Sequence, residues 1–314
     1  MNSGKVLRTY STPTKSLFRR VIARIPAPLI FLAPMLTLVT VFFFVPVILN
    51  LILAFTDMDY RLQWSFVGIV SYLKLFRDPL LLKILKNTAA YVLCTLAINA
   101  GFGLVLALLT TYFVRSENAG LIFRALWMLP RMTPSVVYAL LWLWVLDPTD
   151  YGLLNIFLKQ FFGLPPQDWI LNHPMGVVII VDGSIGASFG MIIYSAAIKS
   201  IPTDYIMAAR VDGASDLGIV RRVILPLLKW PIMFVVTWQM LSLLASYEYI
   251  LLITDGGPFF KSEVWSLHAY HKAFAHMEYG YGAAIAMLLV TAAVILTLIL
   301  LKVFGFRRLM ELAR

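Results

Sequence analysis

Apolar residues run in six long blocks, at 29–55, 88–114, 120–146, 175–198, 230–253 and 281–304. Between them lie segments where charges, aromatics, Gly and Pro cluster. Each block is long enough to cross the roughly 30 Å of bilayer hydrocarbon as a helix. Lipid offers no partners for free amides, so helix is the backbone these blocks predict. The predicted fold class is an all-α membrane protein of six transmembrane helices. A basic tail occupies 1–28, the helical domain 29–304 and a short tail 305–314. Pro130 and Pro134 predict a kink in the third block. No internal repeat is visible, so an inverted-repeat secondary transporter lacks its usual mark.

Composition agrees with the pattern: 61% of the 314 residues are hydrophobic and 13% charged. Soluble domains carry about 25% charged residues. The formal charge of +10 would suggest nucleic acid in a soluble chain. Here the cations follow topology. With the N-terminus inside, 17 of the Lys and Arg residues fall on cytoplasmic segments and eight on external ones, leaving Arg131 in a span. Both termini are therefore predicted to be cytoplasmic. No separate basic patch with interleaved aromatics remains for nucleic acid. The first block is too long for a signal peptide. The single Cys94 supports neither a disulfide framework nor a cysteine metal site. His268 and His271 could share a helix face, but no carboxylate or Cys completes a convincing ligand set. There is no phosphate-binding Gly-Lys-Ser/Thr loop and no nucleophile–base pair, so no catalytic residue, metal or cofactor is assigned to this chain.

The segment 199–229 joins the fourth and fifth blocks. Pro202, Thr203 and Asp204 predict a helix start. Gly213 falls where a left-handed residue closes a helix. Ser215 and Asp216 are placed to cap a second helix over 217–225, ended by Pro226. Ala208, Ala209, Gly213 and Ala214 are small enough for close backbone approach to another protein. An amphipathic connector packed under its own bundle would show the same pattern.

Three charges fall inside spans and are functional candidates by their cost: Arg131, Asp182 and Glu248. Asp182 stands among Gly183, Gly186, Gly190 and two serines, a composition that suits a loosened helix lining a cavity. Glu248 lies between Tyr247 and Tyr249. Carboxylates accept hydrogen bonds from hydroxyls, and aromatic rings cover apolar sugar faces, so this set suits a polyhydroxylated solute. Buried structural pairing between helices is the competing account.

The 199–229 segment resembles the EAA signature of binding-protein-dependent ABC permeases: Ala208-Ala209, a three-residue gap, Gly213, a nine-residue gap, then Val223 and Leu225-Pro226. Phe55-Thr56-Asp57, Phe66-Val67-Gly68, Lys86-Asn87-Thr88, Asp147-Pro148, Tyr151-Gly152-Leu153-Leu154-Asn155, Asp212-Gly213-Ala214 and Thr254-Asp255-Gly256-Gly257-Pro258 resemble the carbohydrate-uptake branch, that of maltose and glycerol-3-phosphate permeases. The resemblance covers about residues 28–308. It implies a type I importer permease fold in a bacterial or archaeal cytoplasmic membrane. It also implies a second permease, two cytoplasmic ATPase subunits that bind ATP and Mg, and an external solute-binding protein. Asp204, Met207, Ala208, Ala209, Arg210, Asp212, Gly213 and Pro226 would then contact an ATPase subunit. Met207 stands where the family has Glu, which removes an ion pair and leaves packing. Asp182, Gly186 and Phe189 match positions that line the sugar site in the maltose permease, and Tyr247 and Glu248 fall near another. Amino-acid or phosphate importers, an ion-coupled transporter using Asp182 as proton carrier, and a membrane enzyme are the alternatives.

Overall fold

A computed structural model describes residues 27–303. The tails at 1–26 and 304–314 lie outside the described residues. Among those described, the chain is helical, with one isolated antiparallel bridge between Thr56 and Phe66. It forms two units, divided between Ile52 and Leu53. The first is a helix, α1 (Ala27–Val39), which continues through a π-helical turn into α2 (Val45–Leu53). It carries no charge and only three polar side chains, Thr37, Thr40 and Asn50, as suits a span facing lipid.

The second unit is built around α4 (Leu81–Leu108, extended by a π turn to Phe113) and α9 (Pro174–Lys199). With α1–α2 and α16 (Tyr279–Val303), these are, among the described residues, the four helices long and apolar enough to cross a membrane. Of the four, α9 is central: 61% of its apolar window is buried, against 11% for α16. The expected loosening around Asp182 is absent, and α9 is one continuous helix. Its glycines serve packing instead. A Cβ on Gly186 would lie 2.4 Å from the Asn99 amide, and one on Gly103 of α4 would lie 2.7 Å from the Ala187 carbonyl. Glycine costs a helix about 1 kcal/mol against alanine. Close helix contact offsets that in lipid, where association rests on packing.

Two expected spans are interrupted. The third is α5 (Glu117–Met132) followed by α6 (Ser135–Val145), broken at Thr133-Pro134, the kink that proline dictates. The fifth is α13 (Lys229–Ala245) followed by α14 (Glu248–Ile253), broken at Ser246-Tyr247 without Gly or Pro. The second span starts at Leu81, seven residues before its apolar block.

At the end of the unit where α4 begins, most of the quoted motifs become staples. Val67 donates to the Phe55 carbonyl, and Ser65 bonds Asp57 through its N–H (2.6 Å) and its hydroxyl (2.8 Å). Those two bonds, the backbone one foremost, hold the Asp57 carboxyl below its usual range. Asn87 donates to the Phe260 and Glu263 carbonyls (2.9 and 3.0 Å), and Thr88 accepts from Trp265 N–H. Asn155, in the two-turn-plus helix α7 (Leu153–Phe162), is 2% exposed. It donates to the Asp147 and Gln167 carbonyls and accepts from Gln167 N–H and Trp169 Nε1–H. Asn155→Ala strands these groups and is expected to cost about 2–4 kcal/mol, read as a lower melting temperature of the detergent-solubilised protein. Wild-type melting would contradict the staple.

His268 and His271, in α15 (Trp265–Tyr270) and the π turn after it, do acquire a carboxylate. Buried Glu263 stands 3.2 Å from His268 Nδ1 and 3.0 Å from His271 Nδ1, while His271 Nε2 faces Asp255 at 3.0 Å. Both imidazoles meet one oxygen of Glu263, a hydrogen-bonded knot within a single short stretch of chain. No group of metal-ligating residues is found among those described.

Candidate functional site

A cavity of about 280 Å³ opens beside Asp182, bounded by α4, α5, α9, α13 and the α13–α14 break. Asn99 from α4, Arg131 from α5 and Asp182 with Gly186 from α9 form one part of its wall. Gln239 and Ser242 of α13, Ser246 at the break and Tyr249 of α14 complete the polar lining. Asp182 accepts from the hydroxyl of fully buried Tyr91, whose oxygen lies 3.1 Å from Ser246 Oγ. Gln239 donates to the Gly186 carbonyl at 2.9 Å. In its favoured orientation the Asn99 amide donates to Gly183. The wall thus presents amides, hydroxyls, one carboxylate and one guanidinium within helices that are otherwise apolar. Its volume is just under the range usual for ligand pockets.

The predicted solute residues divide. Asp182 and Gly186 line the cavity, as does Arg131. Phe189 stacks with Trp238 and lies tilted against Phe234 (centroids 6.4 and 6.5 Å), and the Arg131 guanidinium lies 5.6 Å above its ring. Tyr247 stacks on Tyr270 at 5.0 Å, away from the lining. Glu248 accepts from Ser135 and so ties the first turn of α14 to that of α6. Asn99, Gln239, Ser242 and Tyr249 are lining residues that the charge criterion passed over. A search for amides within apolar blocks would have found the first two.

The 199–229 segment folds as α10 (Thr203–Val211), a turn with Gly213 at φ +78°, then α11 (Asp216–Ile219). A π turn over Val220–Ile224 leads into α12 (Leu225–Leu227). Ser215 Oγ caps α11, accepting from Gly218 N–H. Neither Thr203 nor Asp204 caps α10; Pro202 holds the N-cap position and Asp204 sits in the first turn. Pro226 does not end the second helix. It lies inside α12, and the widened turn before it spares the carbonyl that its ring would strike.

Ala209, with Ile206 and Ala214, packs inward on the core formed by Tyr194, Ile219 and Ile224. Met207 (57% exposed) and Ala208 face outward, with Tyr205, Val211 and Leu217 beside them. Arg210 pairs with Asp216 at 3.5 Å, Tyr112 donates to Asp216 at 2.9 Å, and Asp212 closes α10. The loop thus carries exposed apolar side chains among its charges.

The described residues thus combine helices long and apolar enough to cross a membrane with a polar cavity among them. Residues 99–309 match the family model of the binding-protein-dependent transport system inner membrane component, and the chain belongs to that family. It is a permease subunit of a binding-protein-dependent ABC importer, a transport component rather than an enzyme. A probable ABC transporter permease of Pyrococcus horikoshii is 32% identical over 87% of this chain and 94% of its own. The arabinooligosaccharides transport system permease AraP of Bacillus subtilis is 28% identical over 89% and 88%. The trehalose/maltose permease MalF of Thermococcus litoralis is 26% identical over 88% and 92%. The same fold occurs in the crystal structure of a bacterial ABC transporter that imports the acidic polysaccharide alginate (TM-score 0.80, 23% identity, 93% of this chain and 98% of that one).

Proposed function

We propose that the chain translocates a sugar or related polyhydroxylated solute through the cavity beside Asp182, crossing the membrane six times with both termini in the cytoplasm. The observation that carries this is the cavity's lining, where amides, hydroxyls and a carboxylate meet inside apolar helices. On this account α5–α6 and α13–α14 are the third and fifth spans, each broken near the bilayer midplane where irregular backbone borders a cavity. The permease domain would span 29–304 between the tails 1–28 and 305–314. The sugar-transporting relatives AraP and MalF support the solute class.

A second, related permease completes the pathway, and an external binding protein delivers the solute. Two ATPase subunits bind ATP and Mg, leaving this chain without a cofactor. They dock on Met207 and Ala208 and the neighbouring Tyr205, Val211 and Leu217, with Asp204, Arg210 and Asp212 at the rim. Ala209, Gly213 and Pro226 shape the loop from within. Phe189, Tyr247 and Glu248 take part by holding the cavity's helices rather than by direct contact. The paired presence of Arg131 and Asp182 in the cavity also suits a zwitterion, which keeps an amino-acid importer as the second reading.

Uptake into sealed vesicles carrying the assembly and its binding protein decides the energy source. ATP-dependent uptake unaffected by a protonophore is expected. Uptake that collapses with the proton gradient and ignores ATP would establish the ion-coupled alternative.

A further inference from the structure

A second concavity, of about 340 Å³, lies between α5 and α9 and shares no lining residue with the solute cavity. Leu121, Ala125 and Met128 recur at helical spacing on α5, and Ile192 and Ala196 face them from α9. The slot is apolar along its length and carries two cations, Arg124 and Lys199. Lys199 is the last residue of α9 and leads into the 199–229 loop. With that loop on the cytoplasmic side, as proposed above, the slot lies in the cytoplasmic leaflet.

The polar groups are arranged to receive an anion. Arg124 is held in place by Nη1, which donates to the Thr110 carbonyl (2.9 Å) and to Thr111 Oγ1 (3.0 Å). Lys199 pairs with Glu117 at 2.7 Å, but their side chains are 44% and 79% exposed. A pair so open to solvent contributes little and exchanges readily for another anion. Ser195, which also lines the slot, is 4% exposed, and its hydroxyl has no partner among the described residues. A buried hydroxyl without a partner is costly and rare.

We propose that this slot binds an anionic phospholipid. Its phosphate lies against Arg124 and Lys199, over the Ser195 side chain, and an acyl chain runs along Leu121, Ala125, Met128 and Ile192. A water-soluble anion has no use for the apolar slot, and a neutral lipid has none for the two cations. Basic pockets between membrane helices on the cytoplasmic side suit such headgroups.

Native mass spectrometry of the purified assembly in detergent tests the site. Phosphatidylglycerol should be retained, whereas phosphatidylcholine of identical chains and soluble glycerol 3-phosphate should not. Lys199→Gln and Arg124→Gln should each weaken retention about fivefold. Because Arg124 also clamps the end of α4, Ala125→Phe provides an independent probe: it fills the slot, spares both cations and should displace the lipid. A photoreactive residue at position 128 should form adducts with lipid. Equal retention of the two lipids, binding of glycerol 3-phosphate alone, undiminished retention by Ala125→Phe, or photo-adducts only to another protein subunit would each overturn the proposal. None of these readouts involves transport, so a failure here is separable from failure of the importer function.

Discussion

Asp182→Ala should cut solute uptake at sub-saturating concentration roughly 10- to 100-fold while the subunit still inserts, assembles and supports ATPase docking. The carboxylate lines the cavity, held by the Tyr91 hydroxyl, and its free oxygen is the strongest acceptor there. Hydrogen bonds to a charged group contribute about 1.5–3 kcal/mol, so losing this one raises the half-saturating solute concentration roughly 10- to 100-fold. Asp182→Asn separates charge from shape: it keeps an acceptor oxygen and should retain part of the uptake. Binding-protein-dependent uptake in vesicles measures both. Wild-type uptake by the alanine variant would remove Asp182 from the solute path.

The second large effect concerns the docking loop. Gly213 adopts φ +78°, a left-handed conformation, and a Cβ there would meet no atom within 4 Å. The cost of substitution is therefore conformational rather than steric, about 1–2 kcal/mol for an ordinary L-residue and more for a β-branched one. The turn sets the angle between α10 and α11, and hence where Met207 and Leu217 stand relative to one another. Gly213→Val should lose binding-protein-stimulated ATP hydrolysis while membrane insertion persists. Gly213→Asn, a residue that tolerates the left-handed region, should retain much of it. Full stimulation in the valine variant would show that the loop's geometry does not govern coupling.

Much of this architecture is legible along the chain because lipid enforces it. Continuous apolar blocks must be helices, and Pro134 must break one. The break at Ser246-Tyr247 was not legible, since neither residue forbids a helix. It is held by tertiary bonds, Ser266 Oγ to the Ser246 carbonyl and Glu248 to Ser135, between residues remote in sequence. The glycines of α9 misled for a related reason. Glycine in a helix reads alike whether it loosens the backbone or admits a neighbour, and only the meeting with Asn99 and Gly103 decides which. In the loop, the left-handed Gly213 and the Ser215 cap follow from local chemistry. Pro226 inside a helix depends on the π turn before it, which no residue type announces. The cavity's charged wall was visible as intramembrane charge, but its amides were not sought.

On the proposed function, solute passes through this subunit against Asp182 and Gly186. Solute density in the purified, nucleotide-trapped assembly tests it most directly. A polyhydroxylated molecule is expected in the cavity beside Asp182, within hydrogen-bonding distance of Asp182, Asn99 or Gln239. Density bound only by the partner permease, with this cavity closed or filled by side chains, would contradict it.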